Sequence, residues 1–304
     1  MKNLVIIGKV FPEPNSTAAG SRMIQLMDLF LTQNYQITFL STATISENSF
    51  DLSSKNISFQ NIVLNDSSFD ELIKNLNPEI VIFDRFTTEE QFGWRVSEQV
   101  PNAVKILDTE DLHFLRNARE KAFKQNKVLE NSDLINDVFK RELASILRCD
   151  LSLIISEFEM NLLIEKFRID ENILFYLPLF GEVKKPETSF SERKNFISIG
   201  NFLHEPNWHT VLQLKKLWKD IKNQLPEAEI HIYGAYASEK VFQLHNEKEG
   251  FIIKGRAESV ETVFSQAKVL LAPIPFGAGI KGKLLESMQF GLPNVTSAVG
   301  AEAM

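Results

Sequence analysis

Residues 271–297, LAPIPFGAGIKGKLLESMQFGLPNVTS, decide the fold of this chain. The stretch opens on the end of an apolar run, KVLLAP, which is typical of a buried strand. A glycine-rich loop, an amphipathic helical segment, a Gly-x-Pro turn and a second short strand, PNVTS, follow in that order. A strand, a helix and a strand in succession predict two parallel strands joined by a crossover helix.

The same alternation of apolar runs and amphipathic stretches continues along the whole chain. We expect strands at LVIIG, ITFLST, ISFQNIVL, EIVIFD, AVKILD, LSLIIS and ILFYLP, then at NFISIG, EIHIYG, GFIIKG, KVLLAP and PNVTS. Helices are expected to begin near Gly20, Phe69, Glu89, Leu112 and Glu157, the fourth of them extending to Leu147. Strands that are apolar on both faces indicate covered sheets, so the predicted fold class is α/β with two Rossmann-like, doubly wound parallel sheets.

A polar, proline-bearing segment, LPLFGEVKKPETSFSERK, separates the two series of strands. It predicts a domain boundary near residues 178–186, with an N-terminal domain at 1–180 and a C-terminal domain at 187–304. The pattern shows no helix after the last strand, so we expect the second domain to be incomplete at its C-terminus. Ligands of such folds bind at the carboxyl ends of the strands, and the cleft between the domains is the expected place.

Composition excludes several classes of function. The formal net charge of −7 argues against a nucleic-acid-binding protein, because phosphate recognition usually needs a basic domain. The single cysteine, Cys149, excludes an internal disulfide and a thiolate metal cluster. The first apolar run is too short for a signal peptide and no later run is long enough to span a bilayer, so we expect a cytoplasmic protein.

A basic run, RNAREKAFKQNK, leaves a peripheral contact with the inner membrane face open, because such a run could touch anionic headgroups. The alternative is a solvated helix face.

The glycine loop resembles an anion site. Gly277 and Gly279 lie ahead of the helical segment, and Lys281 and Lys283 add positive charges near its free N–H groups. A helix running from Gly279 would place Glu286 on the same face about 10 Å away, roughly the span from a diphosphate to its ribose. The backbone would then hold a diphosphate and Glu286 a ribose diol. The alternative is a solvated helix on which Glu286 pairs with Lys283.

Other landmarks occur in a fixed order: FPEPNSTAAGSRM, ILDTEDLH, FISIGNFLHEPN, IHIYGAY and FIIKGR. Together with the loop and helix above, they resemble glycosyltransferase family 4, the "group 1" glycosyltransferases of the GT-B fold. The resemblance covers nearly the whole chain. It implies two Rossmann-like domains facing a cleft, a nucleotide-sugar donor in the C-terminal domain, an acceptor in the N-terminal domain, and transfer with retention of the anomeric configuration.

The resemblance also assigns residues to the donor. It implies contacts with the diphosphate or its sugar from Gly20, Ser21, Asn201, Gly277, Gly279, Ile280 and Lys281, with the ribose from Glu286, and with the base from Gly255 and Arg256. Arg256 could equally be an ordinary surface charge. Arg22, beside the first glycine loop, is expected on a solvated helix start.

Two departures from the family pattern concern the donor. Many members carry a glutamate where this chain has Ala278, so contacts with the transferred sugar must come from elsewhere. Many also carry an Arg–Lys pair after the first strand of the second domain, where this chain reads GNFLHEPNW with Asn201, His204 and Asn207. We expect Lys281 to replace that pair beside the leaving phosphate.

A third departure concerns the acceptor. Glu110 occupies the position of a family histidine, and His113 follows three residues later. Either side chain is expected to orient the acceptor hydroxyl or take its proton. The alternative is that Asp108 and Thr109 cap a helix and that His113 is structural.

No metal cofactor is expected, because there is no Asp-x-Asp motif and the histidines lack ligand spacing. The predicted function is that of a retaining, metal-independent hexosyltransferase, which moves a sugar from a nucleotide-diphosphate sugar to a glycan or lipid-linked acceptor in polysaccharide or glycolipid biosynthesis. Two alternatives remain open: a nucleotide-sugar epimerase or hydrolase, and a non-catalytic or partner-dependent sugar-nucleotide-binding protein.

Overall fold

The computed structural model describes residues 2–184 and 188–304, which divide into two compact units, Met1–Phe180 and Gly181–Met304. The division lies inside the polar segment that separates the two series of strands. Pro186, at the far end of the expected boundary, lies outside the described residues.

The first unit is a seven-stranded parallel sheet with helices between the strands. Its strands are β1 (Lys2–Gly8), β2 (Tyr35–Ser41), β3 (Ser58–Asn61), β4 (Ile80–Asp84), β5 (Val104–Asp108), β6 (Leu151–Ile154) and β7 (Leu174–Tyr176). Its α-helices are α1 (Ala18–Thr32), α2 (Ser68–Leu76), α3 (Phe86–Gln99), α4 (His113–Lys124), α5 (Asp137–Arg148) and α6 (Glu157–Asn161), which continues as a π-helix over Leu162–Lys166. Single 3₁₀ turns lie at Leu52–Lys55, Asn131–Leu134 and Glu171–Ile173.

The strand order of the first unit is β3-β2-β1-β4-β5-β6-β7, which is doubly wound. The connections reverse between β1 and β4, whose registers align Leu4 with Ile80 and Ile7 with Phe83. Every residue of β1 from Leu4 to Gly8 is buried, because helices cover both faces of the sheet. This burial on both faces is why the central strands show continuous apolar runs in the sequence.

The second unit is a five-stranded parallel sheet in the order β10-β9-β8-β11-β12. Its strands are β8 (Lys194–Ile199), β9 (Ile230–Tyr233), β10 (Phe251–Gly255), β11 (Ala267–Ala272) and β12 (Asn294–Thr296). Its helices are α7 (Glu205–Gln224), α8 (Glu239–Phe242), α9 (Val260–Gln266), α10 (Gly282–Gln289) and α11 (Ala298–Ala301). The connections reverse between β8 and β11, and this is the switch point at which ligands of such sheets bind.

The expected α/β class with two doubly wound parallel sheets is confirmed, and each of the twelve expected runs contains a strand. Two expectations about helices are wrong. The single helix expected from Leu112 to Leu147 is two helices, α4 and α5, separated by residues 125–136. A short helix, α11, follows the last strand, where the sequence pattern showed none.

None of the described helices is both long enough and apolar enough to cross a bilayer.

Candidate active site

The glycine loop of the second unit joins β11 to α10, and buried side chains hold the part of it that follows β11. Ile274 and Phe276 are buried in the core, and Gly279 has a φ of +64°, a left-handed conformation that glycine adopts without strain. Helix α10 begins at Gly282, and the side chain of its N-cap residue, Lys281, makes no capping hydrogen bond. The loop therefore places the N-terminus of α10, which its N-cap side chain does not cap, at the carboxyl edge of the sheet and at its switch point.

The start of α10 corrects the expected geometry between Gly279 and Glu286. Gly279 lies three residues before the helix, so the helical rise does not fix its distance from Glu286. Glu286 is instead the fifth residue of α10, about 6 Å along the axis from Gly282. A carboxylate and a set of free N–H groups still occur on one short helix, but closer together than expected.

The side chain of Lys281 makes contacts other than those expected beside a leaving phosphate. Its Nζ donates to the carbonyl oxygen of Gly279 at 2.6 Å and to that of Ala278 at 3.1 Å. The Lys281 ammonium therefore stabilises the backbone of the glycine loop to which it belongs.

Lys283 is the residue whose role differs most from the expectation, because the sequence suggested only a charge near the glycine loop. Its Nζ donates to Asn207 Oδ1 at 2.6 Å, and a Cβ built on Gly200 would lie only 2.7 Å from the same Nζ. The ammonium is thus at the end of β8, in the segment where the expected Arg–Lys pair is missing. Burial lowers the pKa of Lys283 to about 8, against the opposing effect of Glu286.

Asn207 and Asn201 link this segment to Lys283. Asn207 Nδ2 donates to the carbonyl oxygen of Asn201 at 2.7 Å, and Asn201 Oδ1 accepts from the N–H of Leu203 at 2.8 Å. The Asn201 side chain therefore shapes the turn after β8, while Asn207 holds the lysine that comes from α10.

Glu286 does not form the ion pair that was the alternative interpretation. No hydrogen bond or ion pair of the described chain engages its carboxylate, and Lys283 bonds to Asn207 instead. Burial raises the pKa of Glu286, and the charges of Lys283 and Lys184 lower it. The carboxylate is thus half-buried and open to a ligand.

Gly255 and Arg256, expected near the base, lie at the end of β10, with β9 between that strand and β8. Gly255 has a φ of +69° and Arg256 is exposed. Their contact with a base stays a prediction.

In the first unit, the expected contribution of Gly20 and Ser21 is not seen. The Gly20 N–H donates to Thr17 Oγ1 at 2.9 Å, and the Ser21 N–H donates to the carbonyl oxygen of Thr17 at 3.2 Å. Both N–H groups are thus used at the start of α1. Gly20 is required for another reason, because a Cβ there would lie 2.4 Å from the backbone of Glu13.

Arg22 is buried rather than solvated, which corrects the sequence expectation. Its guanidinium donates from Nε to Asp108 Oδ1 at 3.0 Å and from Nη1 to the carbonyl oxygen of Leu177 at 2.7 Å. Asp108 is fully buried and ends β5. The pair therefore ties α1 to β5 and to the segment after β7.

Glu110 lies two residues beyond β5 in a left-handed conformation, with a φ of +63°. Only 8% of its surface is exposed, and its Oε1 is buried without a hydrogen-bond partner. Burial, and then the charge of Asp108, raise the pKa of Glu110 to about 8, although Arg85 opposes the shift. Burial raises the pKa of the neighbouring Asp108 as well, against the charge of Arg22.

His113 is the first residue of α4. Its Nδ1 lies 2.9 Å from the carbonyl oxygen of Asp111 and 3.2 Å from Oε1 of the fully buried Glu142. Glu142 also accepts the N–H groups of His113 and Phe114 at 3.1 and 2.9 Å. Nδ1 is thus held by acceptors, so the ring orientation is fixed by the same carboxylate that caps the helix.

The alternative in which Asp108 and Thr109 cap this helix is wrong. Thr109 Oγ1 donates to the carbonyl oxygen of Leu153 at 2.9 Å, and Asp108 binds Arg22. Besides Glu142, Glu159 caps α4 by accepting the Leu112 N–H at 3.0 Å.

The basic run at residues 116–127 is largely paired locally. Lys124 contacts Glu120 and Lys127 contacts Asp133, both at 2.6 Å, and Arg116 lies 3.3 Å from Asp111. These pairs favour the solvated-face interpretation. A membrane contact stays a prediction.

Within residues 2–184 and 188–304, no three or more His, Cys, Asp or Glu side chains come together to hold a metal ion. The expectation of metal independence is a separate, chemical prediction.

Comparison with known proteins gives a family for the second unit and a fold for both units. Residues 193–304 match the family model of the "Glycosyl transferases group 1". The search of curated proteins gave no match.

Solved structures with a similar fold cover almost the whole chain. Sucrose-phosphate synthase from Thermosynechococcus elongatus is 13% identical over 99% of this chain and 82% of its own, with a TM-score of 0.71. HepE from Anabaena, in complex with UDP, is 9% identical over 99% and 82%, with a TM-score of 0.70. A glycosyltransferase from Rickettsia africae ESF-5 is 11% identical over 98% and 80%, with a TM-score of 0.65. At these identities the likeness establishes the fold. The family match of the second unit, together with the fold of both units, confirms the resemblance of this chain to the group 1 glycosyltransferases of the GT-B fold.

Proposed function

We propose that this chain transfers a hexosyl group from a nucleoside-diphosphate sugar to a hydroxyl group of a glycan or lipid-linked acceptor. Transfer proceeds with retention of the anomeric configuration and without a metal ion. One observation carries the proposal: the uncapped start of α10 and the Lys283 ammonium meet beside the end of β8.

The donor's diphosphate fits the start of α10. Free N–H groups and the positive end of the helix dipole favour an anion there, and the left-handed Gly279 shapes the loop that leads to them. Lys283 adds a full charge that is already desolvated, so its attraction to a phosphate is weakly screened. Glu286, one turn further on, is placed to accept hydrogen bonds from the ribose diol.

Lys283 takes the role that the sequence suggested for Lys281. The Lys281 ammonium contacts two loop carbonyl oxygens, whereas that of Lys283 has one amide oxygen, from Asn207. When the bond between the sugar carbon and the diphosphate breaks, negative charge develops on the leaving oxygen, and a fixed cation stabilises it. A lysine and a helix start supply this stabilisation without a divalent ion.

The acceptor binds at the carboxyl edge of the first unit's sheet, where Glu110 and His113 follow β5. The Anabaena protein HepE was solved with UDP, which makes UDP the first probe of the donor side. A cytoplasmic location and a peripheral membrane contact remain predictions that accompany this proposal.

The test is donor turnover. The protein is incubated with UDP-sugars and GDP-sugars, with and without saccharide acceptors, and with and without EDTA, and the products are identified by NMR. The proposal predicts a new glycosidic bond of retained configuration that forms only with an acceptor and is insensitive to EDTA. Isomerised or hydrolysed donor without an acceptor supports the epimerase or hydrolase alternative. Binding without turnover supports a non-catalytic sugar-nucleotide-binding protein.

A further inference from the structure

Four charged groups are packed at the carboxyl edge of the first unit's sheet, and they balance in pairs. Arg22 contacts Asp108 with its Nη2 at 3.0 Å from Oδ1, and Arg85 contacts Asp84 with its Nη1 at 2.8 Å from Oδ2. The two carboxylates end the neighbouring strands β5 and β4. Two guanidinium groups thus contact two carboxylates, and the charge of Arg22 opposes the burial that raises the pKa of Asp108.

Glu110 is a third carboxyl group at this edge and has no counter-charge of its own. Its Oε1 is buried without a hydrogen-bond partner, and so is Oδ1 of Asp84. A buried carboxylate oxygen without a donor, close to the carboxylate of Asp108, is strongly unfavourable, whereas the protonated acid is neutral. The packing therefore favours a proton on Glu110 in the resting protein, against the attraction of Arg85 and Arg22.

We propose that Glu110 acts as a neutral carboxylic acid that donates a hydrogen bond to a hydroxyl oxygen of the sugar substrate, and not as the base that removes a proton. The identity of the ligand rests on the proposed glycosyl transfer, whereas the protonated state of Glu110 does not.

The charges that face Glu110 support a neutral ligand. They come from Asp108 on β5, from Asp84 and Arg85 at the end of β4, and from Arg22 on α1. Because these four cancel, the buried groups give no surplus positive charge for a phosphate or carboxylate, and Lys9, which acts on Asp84 and Arg85 from the end of β1, is exposed. A sugar hydroxyl oxygen can accept a hydrogen bond from the protonated carboxyl group, and it needs no positive charge nearby. The raised pKa of Glu110, about 8, agrees with the packing argument.

The first experiment needs no substrate. The full chain is labelled with ¹³C at the glutamate side-chain carboxyl carbon, and NMR spectra are recorded from pH 4 to 9. The resonance that disappears in Glu110→Gln should titrate near pH 8. The matched control is Glu90→Gln, because Glu90 pairs with Arg141 and this hydrogen bond lowers the pKa of Glu90. A Glu110 midpoint below pH 6 would overturn the proposal.

The second experiment measures transfer by the same variants. Glu110→Gln keeps a donor of the same shape, so we expect kcat/KM for the acceptor to fall only about three- to tenfold, with no decline above pH 8. Glu110→Ala removes the donor and should lower it by about 10- to 100-fold. The wild-type rate should decline above pH 8. If Glu110→Gln were as inactive as Glu110→Ala, Glu110 would be a base and the proposal wrong. If no variant and no wild-type sample transferred sugar, the proposed function would fail while the NMR titration still decided the state of Glu110.

Discussion

Replacing Lys283 by methionine tests the donor site where the structure is most specific. The wild-type ammonium is held by one bond, to Asn207, and burial lowers the pKa of Lys283 from 10.5 to about 8. A shift of about 2.5 units corresponds to roughly 3 kcal/mol of unfavourable desolvation in the free protein. A bound diphosphate offsets that desolvation, which is the physical reason to expect a strong effect on binding.

The expected loss follows from the strength of a hydrogen bond between two charged groups. Such a bond contributes about 1.5–3 kcal/mol, so Lys283→Met should weaken UDP binding by about 10- to 150-fold. Isothermal titration calorimetry at pH 7 measures the affinity of the wild type and the variant. Lys281→Met is the matched control, because the Lys281 ammonium contacts loop carbonyl oxygens two and three residues earlier in the chain. We expect a smaller loss for that control.

The same titration at pH 8 gives a second signature. Lys283 is about half protonated there in the free protein, and a diphosphate raises its pKa, so binding should take up about half a proton. Buffers with different ionisation heats reveal this uptake, and it should vanish in Lys283→Met. Wild-type affinity for UDP in Lys283→Met, with a large loss in Lys281→Met, would refute the assignment to Lys283.

Three further predictions concern other groups. Glu286→Ala should weaken UDP binding about tenfold, and the variant should bind UDP and 2′-deoxy-UDP with the same affinity, because the ribose diol loses its acceptor. Calorimetry with both ligands measures this, and a difference in affinity that persists in the variant would contradict the prediction. Arg22→Met leaves buried Asp108 unpaired, so the free energy of unfolding in urea should fall by about 3–5 kcal/mol. Lys140→Met, which breaks an exposed pair with Asp137, should cost under about 0.5 kcal/mol, and equal losses would count against the burial argument. The pKa of Glu110 in the folded protein is about 8, above its ordinary 4.5, so the folded state holds one more proton than the unfolded state between those pH values. The free energy of unfolding should therefore decrease as pH rises from 4.5 to 8, by up to about 1.4 kcal/mol per pH unit. Urea titrations of Glu110→Gln should show a smaller decrease.

The fold could be predicted from the sequence because parallel strands that are buried on both faces form continuous apolar runs. LVIIG predicts β1 in this way, and β1 is buried from Leu4 to Gly8. The break between α4 and α5 was not accessible, because residues 125–136 contain no proline or glycine to mark a helix end. Helix α4 ends just before Asn126, which is left-handed with a φ of +51°, and Asn136 caps α5 by accepting the Phe139 N–H at 3.0 Å.

The site residues were harder to assign, because their roles depend on distant partners. Arg22 is buried because Asp108, 86 residues later, and the carbonyl oxygen of Leu177 accept its hydrogen bonds. Lys283 reaches Asn207, 76 residues earlier, and only this contact distinguishes it from Lys281. Pairing at i and i+3 on a helix suggested Glu286 as its partner, but the longer-range bond replaced that local one. One signal was present in the sequence: the segment with Asn201 and Asn207 lacks the expected Arg–Lys pair, and the glycine loop is followed by two lysines.

The most direct measurement of the central claim is a crystal structure of the protein with UDP bound. The account predicts phosphate oxygens within hydrogen-bond distance of the N–H groups at the start of α10 and of Lys283 Nζ, with the ribose hydroxyls on Glu286. A diphosphate bound elsewhere on the chain, with Lys283 still bonded to Asn207 alone and Glu286 facing water, would contradict it.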